Sequence, residues 1–178
     1  MDIVKGIRPL DYVLTALMVG LGVLLGLENV NGSEADVAHS IDSTSAWIVP
    51  VFALAALPIL WRRRNIVAAV FVSAVVFAVS VLAFGWIVRC GFGLPLSFAM
   101  AYGVARFGGS KQQQLVGLGG IALMQVAVLV KDSATDGISP IVGALPIALV
   151  FYGIGLIVQN RSEKQAGLET PLRERVPA

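Results

Sequence analysis

Trp61-Arg62-Arg63-Arg64-Asn65 lies between two long apolar runs, residues 46–60 and 66–87, and it restricts the folding of this chain more than any other stretch. An arginine held at the centre of a membrane-spanning helix costs roughly 2.5 to 3.5 kcal/mol on insertion scales. Three in succession therefore belong at a bilayer surface, with the flanking runs folded back from it as an antiparallel hairpin. Basic turns collect on the cytoplasmic side. Arg62, Arg63 and Arg64 are thus expected to be topology anchors, placed to touch anionic lipid headgroups at about 1 kcal/mol per charge.

Composition agrees with a bilayer. Hydrophobic residues make up 57% and charged residues 13% of the 178, with a mean hydropathy of +0.83, against about 45–50% and about 25% in a soluble domain. The apolar residues come in blocks suited to a hydrocarbon core about 30 Å thick. The expected fold is all-α: a polytopic integral membrane helix bundle of six transmembrane helices with both termini cytoplasmic, covering residues 1–160, then a polar cytoplasmic tail, 161–178. The spans are expected over residues 10–27, 46–61, 66–88, 94–107, 115–130 and 140–158, the fourth being the shortest. The first exceeds the apolar core of a signal peptide, about 7–15 residues, and is read as retained. Residues 28–45 and 131–139 become outer loops, rich in Asp and Glu. Of the 13 Lys and Arg residues, this threading leaves only Arg89 and Lys131 outside. Pro50, Pro58 and Pro146 predict kinks, and Gly22 and Gly26 form a GxxxG pair that permits close helix approach.

Several function classes are excluded. A single cysteine, Cys90, allows no internal disulfide, and a net charge of +2 does not point to nucleic acid. Proton-coupled transporters usually carry ionisable groups within their spans. Here Asp11, Arg89 and Arg106 fall near span ends, where snorkelling toward water is expected, and Gln125 is the most central strong polar group, a candidate interhelical contact. Glu34, Asp36, His39 and Asp42 offer ligand-type side chains without a metal-binding spacing and are read as solvated outer charge. Asn31-Gly32-Ser33 formally fits a glycosylation sequon, a short motif with a high chance rate. No phosphate-cradling loop, zinc-protease helix or nucleophile elbow occurs, so the chain is expected to be non-enzymatic and to use no cofactor or metal.

Leu57-Pro58-Ile59-Leu60-Trp61 before the arginine triplet, the Ala/Val-rich runs after it, and Ala101-Tyr102-Gly103-Val104-Ala105-Arg106 at the end of the fourth span resemble the N-terminal membrane (sensor) domain of actinobacterial two-component sensor histidine kinases, over about residues 8–165. In that family the last span leads into a connecting helix and then a kinase. The stretch 161–175 is similar to such a connector, with Pro171 and Pro177 expected to interrupt it, and the one histidine, His39, falls in an outer loop, so the resemblance covers the membrane part without the kinase part. It implies a bacterial plasma-membrane protein, sensor-like or regulatory, whose partners are the lipid bilayer and either a second copy or another membrane protein. A small transporter or channel, and an accessory subunit or assembly factor of a larger membrane complex, are the rival expectations.

Overall fold

The computed structural model describes residues 8–32, 37–135 and 137–173. The described chain is helical, without a named strand. Its elements are α1 (Pro9–Asn31), α2 (Ile48–Ala56), a 3-10 segment (Leu57–Trp61), α3 (Arg62–Phe84), α4 (Cys90–Phe107), α5 (Lys111–Leu129) and α6 (Ile141–Arg173). Four continuous stretches are long and apolar enough to cross a membrane: Pro9–Asn31, Ile48–Phe84, Lys111–Leu129 and Ile141–Ser162.

The 37-residue stretch Ile48–Phe84 is not one straight rod. Asn65 leaves helical geometry, with φ −156° and ψ 86°, and the chain reverses there. Ser73 Oγ donates to Ala55 O at 2.7 Å, and farther out Asp42 N donates to Trp86 O at 2.8 Å. Both pairs are centred on residue 64, the signature of an antiparallel hairpin. The expected hairpin is present, but the expected loop is not: Arg62, Arg63 and Arg64 are helical, and the reversal is concentrated at Asn65, whose Oδ1 accepts from Ala68 N at 3.0 Å and so caps the next turn.

The remaining registers follow from individual contacts. Gly22 faces Phe52 and Gly26 faces Val49, so α1 runs antiparallel to α2, and a Cβ at Gly26 would stand 3.0 Å from Val49 Cα. The GxxxG pair is therefore used for backbone approach. Phe92 stacks within 5.3 Å of Phe52 and 5.7 Å of Phe77, while Gly103 meets Ile66, which makes α4 antiparallel to the second leg of the hairpin. Gly93 and Gly117 meet Val128 and Val104, so α5 returns antiparallel to α4. Phe98 and Phe151 stack at 5.6 Å, and Gly155 lies against Tyr102 and Ala105, so α6 runs alongside α4 in the same direction.

Helix α4 occupies the centre, packed on α1, α3, α5 and α6. Phe92, Leu96, Met100, Ala101 and Val104 are buried there. This explains why the fourth apolar run is short and rich in small residues: its neighbours screen it, so it needs little lipid-compatible surface of its own. It also begins earlier than expected, at Cys90 rather than Leu94, so that residues 90–93, left between the third and fourth expected spans, are helical. The true connection is 85–89.

The prolines distort less than expected. Pro50 lies in the first turn of α2, where its missing N–H forfeits no helical bond, and Pro58 is the second residue of the 3-10 segment. Helix α6 passes Pro146 and Pro171 unbroken and spans 33 residues, about 50 Å at 1.5 Å per residue. The polar stretch from residue 161 thus continues this helix to Arg173, and residues 174–178 lie outside the described chain.

Glycines two positions apart on α6 provide a matched test of the packing. A Cβ at Gly155 would stand 2.7 Å from both Tyr102 O and Ala105 Cβ, whereas at Gly153 it would meet nothing within 4 Å. Gly155→Ala should lower stability in detergent by about 1–3 kcal/mol through overpacking. Gly153→Ala should leave it unchanged or raise it by up to about 1 kcal/mol through helix propensity. Thermal unfolding of the two variants side by side checks the α4–α6 interface.

Candidate functional site

The polar side chains gather in three places: the end of the bundle at the 85–89 connection and the opposite end at the arginine triplet, labelled outer and inner after the expected threading, and one point between. At the outer end the connection 85–89 lies outside the regular helices, so its peptide groups need partners from elsewhere. Trp86 N donates to Asp42 Oδ2 at 2.9 Å. Ile87, fully buried, accepts at its carbonyl from Ser133 N at 3.1 Å. Val88 is gripped on both sides by Asn29, whose Oδ1 accepts from Val88 N and whose Nδ2 donates to Val88 O, each at 2.8 Å. Arg89 N and Cys90 N both donate to Asp132 Oδ2 at 2.6 Å, so this carboxylate, reaching over from beyond α5, caps the N-terminus of α4.

The Arg89 side chain turns inward and is fully buried. It donates from Nε to Ser80 Oγ at 3.1 Å, from Nη1 to Lys131 O at 2.6 Å, and from Nη2 to Ser80 O at 3.0 Å and Gly85 O at 2.8 Å. Snorkelling does not describe it: the fork of the guanidinium ties the end of α3 to the end of α5. Burial pushes its pKa down to about 10, opposed by the nearby Asp132 carboxylate. The group therefore remains a cation at neutral pH. The His39 ring lies tilted at 37° against Trp86, ring centroids 4.1 Å apart, and the His39 backbone N–H donates to Ser133 O at 3.2 Å. Asp42 is committed to the connection, and among the described residues no group of three or more His, Cys, Asp or Glu is placed to hold a metal ion. Glu34 and Asp36, and Ser33 of the sequon, lie outside the described residues.

At the inner end Asp11 is also buried, not hydrated as expected. Its Oδ1 accepts from Arg62 Nε at 2.9 Å and faces Arg62 Nη2 at 2.7 Å; its Oδ2 accepts from Arg63 Nε at 2.6 Å and Arg8 N at 3.0 Å. Thus α1 is bolted to the hairpin. The Phe107 ring, at the end of α4, has Arg63, Arg62 and Arg106 at 4.9, 5.8 and 5.9 Å from its centroid, within cation–π range. Arg106 also donates to Ser162 Oγ at 3.3 Å, joining α6 to the same cluster. Arg64 points away and is exposed.

Between the two ends, Gln125 is fully buried and its Nε2 donates to Ser97 Oγ at 3.1 Å and Ala144 O at 3.3 Å, linking α5 to α4 and α6. Its Oε1 has no hydrogen-bond partner. The structure thus brings Arg62 and Arg63 together on Asp11, leaves Arg64 apart, and sets Gln125 at a three-helix junction. Asn29, Ser80, Ser97 and Asp132 were not foreseen. The available signal is an Asn, Asn29, at the end of an apolar run and an isolated Arg, Arg89, four residues after Gly85.

Compared with protein-family models, with curated proteins and with solved structures, the chain matches none. The arrangement defines an all-helical chain with four stretches able to span a membrane, a multi-pass design, and polar groups bound mostly to one another.

The outer network yields a graded prediction. Asp132→Ala leaves two amide N–H groups at the start of α4 without an acceptor and removes the carboxylate nearest the buried Arg89 cation, and should cost about 1–3 kcal/mol for each amide. Asp132→Asn keeps an acceptor and should cost less. Unfolding in detergent micelles measures both, and a double-mutant cycle with Arg89→Met should show a coupling of about 0.5–3 kcal/mol.

Proposed function

We propose that this is a multi-pass protein of the bacterial plasma membrane with six spans and both termini in the cytoplasm, acting as a non-catalytic, sensor-like interaction module. Support for six spans comes from the alternation of helix directions: the reversal at Asn65 divides Ile48–Phe84 into two legs, and α4, though screened and short, runs the length of the bundle between its neighbours. Support for the orientation comes from the Lys and Arg distribution, in which all but Arg89 and Lys131 fall on one side. Arg89 is no exception in cost, since its charge is hydrogen-bonded internally instead of lying in an outer loop.

The observation that carries the functional reading is α6. One side of it rests on α4 through Gly155 and Phe151, while Val142, Leu149, Val150 and Ile157 are exposed. The helix then continues past its apolar part, which ends at Ser162, as far as Arg173. A helix seated in the bundle at one end and projecting from it at the other can carry a shift in packing to whatever adjoins it, as the resemblance to sensor-kinase membrane domains implies. Transport is the less favoured reading: Gln125, the central polar group, is inaccessible to solvent and packed among Ser97, Ala144 and buried apolar side chains.

Single cysteines placed on a Cys90→Ser background test both parts. A cysteine at Ala38 should react with a membrane-impermeant maleimide in whole cells and one at Ser110 should not; the reverse labelling refutes the orientation. Cysteines at Val142, Leu149 or Ile157 should cross-link in native membranes to a second copy or a stoichiometric membrane partner. A strictly monomeric species with no cross-linked product and no copurifying protein would oppose the interaction role, and solute uptake by reconstituted vesicles would favour transport.

A further inference from the structure

The three arginines of the knot are not equivalent. Arg62 and Arg63 are 11% and 24% exposed and are spent on Asp11. Arg64 is exposed, and no carboxylate lies within salt-bridge distance of it among the described residues. Two cavities meet over Arg64 and Asn65. One, of about 400 Å³, lies toward the α4–α5 turn and offers polar walls from Gln112, Gln113 and Gly108. The other, of about 540 Å³, runs along the hairpin between Pro58 and Trp61 on one leg and Ala68, Ala69 and Val72 on the other. A cation thus stands at the junction of a polar recess and an apolar groove.

We infer that this composite site holds an anionic phospholipid, its phosphate on the Arg64 guanidinium, its polar headgroup toward Gln112 and Gln113, and one acyl chain in the groove between the hairpin legs. The match is one of charge and polarity together. A soluble anion would use Arg64 and leave the groove empty, whereas a zwitterionic lipid would fill the groove but bring its own ammonium with its phosphate and leave the charge of Arg64 unneutralised. A further apolar groove of about 480 Å³, lined by Leu14, Leu17, Tyr102 and Phe151, has Arg62 at its end, but that guanidinium is already bonded to Asp11. The inference draws on the proposed threading only in assigning the lipid to the cytoplasmic leaflet.

Trp61 lines the groove and serves as the reporter. The full chain carrying Trp47→Phe and Trp86→Phe retains it as the one tryptophan of the original three. Reconstituted in phosphatidylcholine vesicles, this protein should be quenched more strongly by a minor fraction of brominated phosphatidylglycerol than by the same fraction of brominated phosphatidylcholine. Arg64→Gln should reduce that preference roughly fivefold, as expected for one basic residue at an anionic surface, while Arg64→Lys retains most of it. Ala68→Leu, which leaves the charge intact and fills the groove, should lower quenching by the anionic lipid and keeps the test decisive if Arg64→Gln folds poorly. Equal quenching by the two lipids, or a preference unaffected by both substitutions, overturns the inference. Abolition of the preference by inorganic phosphate would assign the site to a free anion and overturns it as well. The vesicles present the same lipids in both leaflets, so failure here is distinct from failure of the threading, which cysteine labelling reads separately.

Discussion

The structure depends on satisfying the peptide groups of the connection 85–89. Backbone that leaves helical geometry forfeits its internal hydrogen bonds, and a buried peptide group left without a partner costs about 1–3 kcal/mol, so a packed segment of this kind persists where other parts of the chain supply the partners. Asn29, Asp42, Ser133 and Asp132, from three separate parts of the chain, supply them here. The same bonds position the helices: Asn29 fixes the end of α1, Asp132 the start of α4, and Arg89 the ends of α3 and α5. A short stretch that cannot be helical thereby becomes the point to which four helices are tied.

The inner end solves a different problem with the same economy. Three consecutive arginines repel one another, and a single buried carboxylate, Asp11, takes up two of them while Phe107 offers its ring face to both and to Arg106. Pairing one anion with two cations leaves net positive charge at that end even though two members of the triplet are partly buried, which is compatible with the proposed threading. Between these polar ends the bundle closes by small residues: Gly22 and Gly26 of α1 against α2, Gly93 and Gly117 between α4 and α5, and Gly155 of α6 against α4. Without a hydrophobic force between helices in lipid, such close approach is the principal source of association.

The helical class, the multi-pass character and the hairpin were legible because they follow from local chemistry: apolar length, proline and glycine placement, and the cost of charge in hydrocarbon. The side-chain networks were not, because they depend on which residues the fold brings together from far apart. Asp11 and Arg89 illustrate the limit. Each lies near the end of an apolar run, and at that level water is the natural partner for a charge. Only the three-dimensional arrangement places Asp11 under Arg62 and Arg63, or gives Arg89 three carbonyls and a hydroxyl. The central position of α4 was hidden for a related reason: a helix screened by its neighbours needs little apolar surface of its own, so its sequence carries a weak signal. Of the Gln125 contact, the amide was visible and Ser97 and Ala144 were not.

Arg64 is what remains when these structural demands are met. Asp11 has two carboxylate oxygens and both are occupied by Arg62 and Arg63, so a third guanidinium finds no place in the inner cluster. The reversal at Asn65 turns it outward, beside the groove that opens where the two legs of the hairpin part around Trp61 and Val72. In the proposed threading, this exposed cation over apolar walls would otherwise be left to water on one side and lipid tails on the other. A bound amphiphile resolves both contacts at once, which is why the residue least needed to hold the fold together is the one whose surroundings are best suited to a ligand.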